Sequence, residues 1–454
     1  DAFFLGNRQS PWIIVSIGMI GSSLSGVSFV SVPGWVSTTD MTYMQMVIGF
    51  FFGYIVIAKV LLPVYYRLNL TSIYEYLRQR FGVSSYRTGA WFFIFSKMTG
   101  AAARLFLVVM ILQNCVFDSL NIPFAVTVAI SILLIWAYTF RSGIKTIIQT
   151  DMLQAICLVA MLVVLIMKVT DGMGLDFGGM IQTITDSPHF RMFEFGDWSS
   201  RQHFVKQFLS GVFIPIVMTG LDQDMMQKNL SCRNLREAQK NMYLYGASFM
   251  PVNFMFLSLG ILIVTFMGNN LPIGDDMLPA LCTSGILGQS ILIFFTIGII
   301  AAAFSSADSA LTAITTSICI DILGTPQEKR KRIAVHITVS VIFMLIIMIF
   351  KAVNDRSVID AIYTIASYTY GPLLGLFIFG LFTKYRSNER LTPYICVAAP
   401  VICFLLDQIT AHHTTYRFGY ELLLLNGTLT FAGMYFTRTS NNKKYEHSSN
   451  SRTP

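Results

Sequence analysis

Three hydroxyls and a carboxylate crowd one stretch of an otherwise apolar run, Ala301-Ala-Ala-Phe-Ser305-Ser306-Ala-Asp308-Ser309. On a helix of 3.6 residues per turn, Ser305, Asp308 and Ser309 share a face with Ser306 beside them, so their oxygens can converge on one or two neighbouring points. Such oxygens inside a membrane need a partner to coordinate, and a small hard cation, sodium, suits them. A serine pair alone would be expected to bond back to the preceding turn and glue helices together. Asp308 tips the balance toward a cation site.

The elements that must position this cluster are membrane helices. The chain has 454 residues, 54% hydrophobic and only 12% charged, with a mean hydropathy of +0.61. A bilayer crossing needs about 20 apolar residues. Twelve spans are expected near 12–38, 42–67, 86–117, 121–140, 145–168, 202–222, 236–267, 285–323, 333–351, 358–384, 391–410 and 418–437. The fold class is an all-α integral membrane protein. Too little chain remains for a soluble catalytic domain, and no convergent nucleophile or metal motif appears, so an enzyme is not expected.

Basic residues give the orientation. Loops after the even-numbered spans, taken with Arg8 and the tail, collect 22 of the 32 lysines and arginines, among them Arg67, Arg141, Lys228 and the Lys329-Arg-Lys-Arg332 block. Seven, including Arg191, Arg201 and Arg356, fall on the other side or at its edge, and Lys59, Lys97 and Arg104 lie within spans. The positive-inside rule therefore places the C-terminus in the cytoplasm of a multi-pass cell-membrane protein. Basic loops facing anionic lipid account for the net charge of +8, and no nucleic-acid partner is needed. Seven scattered cysteines form no Cys-x-x-Cys pair.

Two spans carry helix interruptions. Span 1 reads Gly18-Met-Ile-Gly21-Ser-Ser-Leu24-Ser25-Gly26-Val-Ser28, then Pro33-Gly34, and span 6 reads Gly211-Val-Phe-Ile-Pro215-Ile-Val-Met-Thr-Gly220. Breaks in corresponding positions of two halves point to an inverted-repeat transporter. The expected organisation is an N-terminal cytoplasmic segment 1–11, which a missing span could precede, and a first repeat 12–168 holding spans 1–5. An extracellular loop 169–201 follows, then a second repeat 202–384 holding spans 6–10. Spans 11–12 at 385–437 and a polar cytoplasmic tail 438–454 complete it. This is an inverted repeat of five plus five transmembrane helices with two C-terminal helices, and helices 1 and 6 are broken.

The chain resembles the sodium:solute symporter family, a branch of the leucine-transporter fold. The likeness is carried by Gly21-Ser-Ser-Leu24-Ser25-Gly-Val-Ser28-Phe, Thr150-Asp151-Met-Leu-Gln154, Gly220-Leu-Asp222-Gln223-Asp-Met-Met-Gln227-Lys228 and Ala302-Ala-Phe-Ser305-Ser306, and it covers nearly the whole chain. The resemblance implies a main sodium site at Gly21, Leu24, Ala302, Ser305 and Ser306, five oxygens without formal charge that suit reversible Na⁺ binding. It also implies a second sodium site at Asp151, Ser305, Asp308 and Ser309. Asp308 stands where the family's sialic acid member has a serine; it could strengthen that site, or one aspartate could hold a proton. Two coupled cations are the preferred expectation. Sodium-independent exchangers of this fold carry a cationic or apolar group in place of the sodium ligands, and Ser305 and Ser306 argue against that.

The solute is expected to be small and polar. Ser23, Ser25 and Ser28 fall where related members present polar side chains, and Gln45 and Phe50 are further pocket candidates. Arg104, a costly charge within span 3, would bind a substrate carboxylate or make a structural ion pair. It does not align with the sialic acid member's carboxylate-binding arginine, which falls near Gly100. The expected activity is sodium-coupled import by alternating access, with a sugar acid such as sialic acid or another carboxylate slightly favoured. A neutral sugar, polyol or amino acid, or a transporter-like sensor, is the alternative. The partners are the solute, Na⁺ and the lipid bilayer; the oligomeric state is left open, with the monomer as the expected functional unit.

Overall fold

The computed structural model describes residues 6–139, 144–268, 272–325, 328–353, 358–414 and 416–439. Arg141, Arg356 and the tail residues Lys443, Lys444 and Arg452, all used in the charge argument, lie outside them. Among the described residues there is no strand, only isolated bridges of Ser10 with Cys232 and of Arg386 with Thr439.

All twelve expected spans have a helical counterpart. Among the described residues, seven unbroken helices are long and apolar enough to cross a membrane: Tyr43–Arg67, Val83–Leu112, Ile147–Gly172, Leu235–Met267, Gln289–Ile322, Lys329–Ala352 and Thr392–His413. Phe124–Trp136 and Leu422–Phe436 are shorter and apolar. The remaining three are bent pairs. Span 1 is Trp12–Ser23 and Gly26–Thr39 at 59°, span 6 is Phe204–Gly220 and Gln223–Leu230 at 69°, and span 10 is Val358–Thr369 and Gly371–Phe382 at 46°. Large apolar side chains such as Leu134, Leu153, Met167, Phe294 and Leu405 remain exposed on outer helix faces, as a surface covered by lipid requires.

Span 6 departs from its expected end at residue 222. Gln223–Leu230, read from sequence as part of a basic loop, is the second half of the broken span, and Lys228 within it is fully buried. Pro215 cannot donate to the ladder, and the helix opens into a wide turn over Ile216–Gly220. It restarts because the Asp222 side chain accepts from the Met225 amide, satisfying one of the orphan donors of the new half-helix. Span 1 breaks at Leu24 and Ser25, where the backbone turns extended before Gly26. Just before that break a Cβ on Gly21 would lie 2.0 Å from the Asp151 carbonyl oxygen. Only glycine lets spans 1 and 5 meet this closely, and that contact brings Asp151 to the broken helix.

Candidate functional site

The breaks border a central pocket. Ser23 from span 1, Phe50 from span 2, Arg104 from span 3, Thr219 from span 6, Tyr245 from span 7 and Tyr363 from span 10 line it, and Ser306 and Ser309 of span 8 reach its floor. Ser23 bonds to the Tyr245 hydroxyl, which in turn takes the Tyr54 hydroxyl at 3.2 Å. Of the six candidate solute residues, Ser23, Phe50 and Arg104 are therefore pocket walls. Ser25 and Ser28 are not among them: Ser25 is buried in the break itself, and Ser28 turns back to the Ser23 carbonyl at 3.5 Å.

Gln45 is corrected outright. Its Nε2 donates to the carbonyls of Gln202 at 2.9 Å and Thr42 at 3.2 Å, and its Oε1 accepts from the Glu194 amide at 3.0 Å. The amide holds the segment around Glu194 and Gln202 against the start of span 2. A polar residue on an apolar helix marks a buried partner, and here the partner is backbone rather than solute.

Gln154 links the carbonyls expected to hold the main sodium. Its Nε2 donates at 3.3 Å both to Gly21 on the broken helix and to Ala302 on span 8. Two buried oxygens in this region lack a hydrogen-bond partner among the described residues: Gln154 Oε1 and Ser306 Oγ, the latter one turn beyond Ala302. Leu24 lies at the break, its amide closing the first half-helix on Ile20 at 2.8 Å. Ser305 donates to Asp151 Oδ1, so in this state it is turned toward its neighbour's carboxylate.

The second expected sodium set has a different occupant. Lys228 Nζ lies 2.8 Å from Asp151 Oδ2, 2.6 Å from Ser22 Oγ and 3.2 Å from Ser309 Oγ. Ser22 also donates to Asp151 Oδ2 at 2.7 Å. Asp308 accepts from Thr312 on its own helix at 3.4 Å. The ammonium continues into a chain of charges, since Lys228 meets Asp224 at 3.4 Å, and Lys97 from span 3 takes Asp224 at 2.9 Å and Asp222 at 3.1 Å. Tyr370, beside the break of span 10, donates to Asp222 at 2.9 Å. Two lysines and three aspartates thus tie spans 3, 5 and 6 together, with Lys97, Asp222 and Asp224 in the pocket wall and Asp151 and Lys228 behind it. Sequence reasoning treated Lys228 as a loop charge and passed over this network. Two signals were available: Lys97 inside an apolar span and Asp224 four residues before Lys228 on one helix face.

Broken helices around a pocket with half-helix ends and unwound carbonyls at its floor define a secondary transporter. The family model described as "Sodium:solute symporter family" matches residues 3–390, and the chain belongs to that family. It is 27% identical over 413 residues to the sodium/sialic acid symporter SiaT of Proteus mirabilis, covering 86% of this chain and 80% of that protein. It is 24% identical to the Homo sapiens sodium/iodide cotransporter, over 84% of this chain and 61% of the other. A solved Na⁺-coupled sialic acid symporter in a substrate-bound outward-open state has a TM-score of 0.76 at 20% identity, over 96% of this chain and 91% of that one. The protein is a multi-pass, sodium-coupled symporter with the leucine-transporter fold.

Proposed function

We propose that the solute is a carboxylate-bearing polar molecule, with a sugar acid such as sialic acid favoured, imported with Na⁺ by alternating access across the cell membrane. The observation that carries this reading is Arg104. Its guanidinium lines the central pocket, and it makes no ion pair or hydrogen bond with any described residue. The nearby carboxylates of Asp222 and Asp224 are taken by Lys97 instead. A guanidinium held in a membrane interior without an anion awaits one, and its fork fits a carboxylate in bidentate fashion. The structural ion pair that was the alternative for Arg104 therefore has no partner among the described residues.

Two similar proteins bear names that specify anions, sialic acid and iodide, which supports a cationic anchor in the pocket. Gly100, one turn before Arg104, also lines the pocket, and a Cβ there would meet open space; the anchor sits one turn further along span 3. Tyrosine hydroxyls of Tyr54, Tyr245, Tyr363 and Tyr370 can meet the remaining polar groups of the solute. The coupling ion sits on the carbonyls of Gly21, Leu24 and Ala302 with Ser305 and Ser306, once the Gln154 amide leaves the carbonyls and Ser305 turns from Asp151 toward the ion. Spans 1–5 and 6–10 act as the two repeats that rock about this floor, with the C-terminus cytoplasmic. A transport panel of sialic acid, other sugar acids, amino acids and neutral sugars tests the solute. Arg104→Gln should abolish uptake of the acids, and selective uptake of neutral compounds by the unmodified protein would reject the carboxylate.

A further inference from the structure

The neutral oxygens of the main set and the charged oxygens around Asp151 are neighbours, but only the second group is already satisfied by a cation. Lys228 is fully buried, comes from the inner half of span 6, and reaches the oxygens of three other spans: Ser22 of span 1, Asp151 of span 5 and Ser309 of span 8. Asp151 and Ser309 are two of the groups that a second sodium would have to use. A Na⁺ on those oxygens would share Asp151 with the ammonium at contact distance, in a place where water cannot screen the repulsion.

We propose that Lys228 is a resident cation that fills the second cation site, so that the protein binds one Na⁺ per cycle, and that Asp151 serves to hold Lys228 rather than to ligate sodium. The ammonium supplies one of the positive charges that this site would otherwise draw from solution. It also does what a transported ion does structurally, tying the broken helix to spans 5, 6 and 8. Because it is tethered, it contributes no driving force. The inference rests on the main site being the one that takes the coupling ion.

The test is the number of ²²Na⁺ ions bound at saturation by purified full-length protein. The unmodified chain should bind one. Lys228→Gln frees the oxygens of Asp151 and Ser309 and should bind two, the added ion disappearing again in Lys228→Gln with Asp151→Asn. Should the single variant fold poorly, the count on the unmodified chain still decides, because one ion supports the proposal and two overturn it. Two ions bound by the unmodified chain, or only one by Lys228→Gln, overturns the proposal. Ser306→Ala separates this inference from the reading beneath it: loss of the ion from the unmodified background reports on the main site. A second ion that appears in Lys228→Gln and survives addition of Ser306→Ala reports on Lys228.

Discussion

Two oxygen clusters lie side by side at the floor of the pocket, and they are built on opposite principles. One is made of backbone carbonyls and hydroxyls with no formal charge, bridged by the Gln154 amide and leaving Ser306 Oγ without a partner among the described residues. The other is built around the Asp151 carboxylate and closed by the protein's own ammonium. A neutral set gains its cation from solution and releases it at modest cost, as a transport cycle needs. A carboxylate buried in a membrane protein requires a standing counter-charge, and Lys228 provides it. The two neighbouring clusters thus differ in what balances them: one is neutral, and the other pairs its carboxylate with a lysine within reach.

The comparison is broken most forcefully by removing one member of the charged cluster. Asp151→Ala leaves Lys228 buried with only the shared Asp224, and loss of one partner from a buried pair should cost about 3–5 kcal/mol of stability, read as a lowered melting temperature in detergent without sodium. Arg104→Gln addresses the pocket above. With no carboxylate paired to it among the described residues, its removal should leave the melting temperature of the solute-free protein within a degree or two, while affinity for an acidic solute falls by about 2–5 kcal/mol in a binding titration. Should the solute-free protein lose stability instead, Arg104 is structural.

On the neutral side, Ser306→Ala should leave stability nearly unchanged and raise the half-saturating sodium concentration roughly tenfold, about 1.4 kcal/mol, in uptake assays. An unchanged sodium response would remove Ser306 from the ligand set. The smallest effect on transport is expected at Gln45. Gln45→Ala deletes two hydrogen bonds to Glu194 and Gln202 and one to the Thr42 carbonyl, and should destabilise by about 1–3 kcal/mol with no change in solute affinity; a selective affinity loss would return Gln45 to the pocket.

The twelve spans and both expected breaks were legible because membrane helices announce themselves through long apolar runs, and because Pro215 and the glycines of span 1 interrupt them. The break of span 10 at Tyr370-Gly371 was missed, since a single Gly-Pro pair in an apolar run does not distinguish a bend from close packing. The serine cluster stood out as a candidate cation site through its spacing together with Asp308. Lys228 was not, because the charge count assigns basic residues after a span to a loop, whereas Asp222 caps a new half-helix and carries Lys228 back into the protein. Gln45 misled for the opposite reason. Sequence marks a polar side chain in an apolar span but does not say whether solute or backbone satisfies it.

The contrast between the two clusters is tested most directly by the sodium to solute ratio. Proteoliposomes are loaded with sialic acid so that an outward solute gradient equals and opposes an inward sodium gradient, with the membrane voltage clamped at zero by potassium and valinomycin. With one sodium per solute the two gradients balance and no net flux occurs. Net uptake under this balance, as two coupled sodium ions would drive, would contradict a second site filled by Lys228.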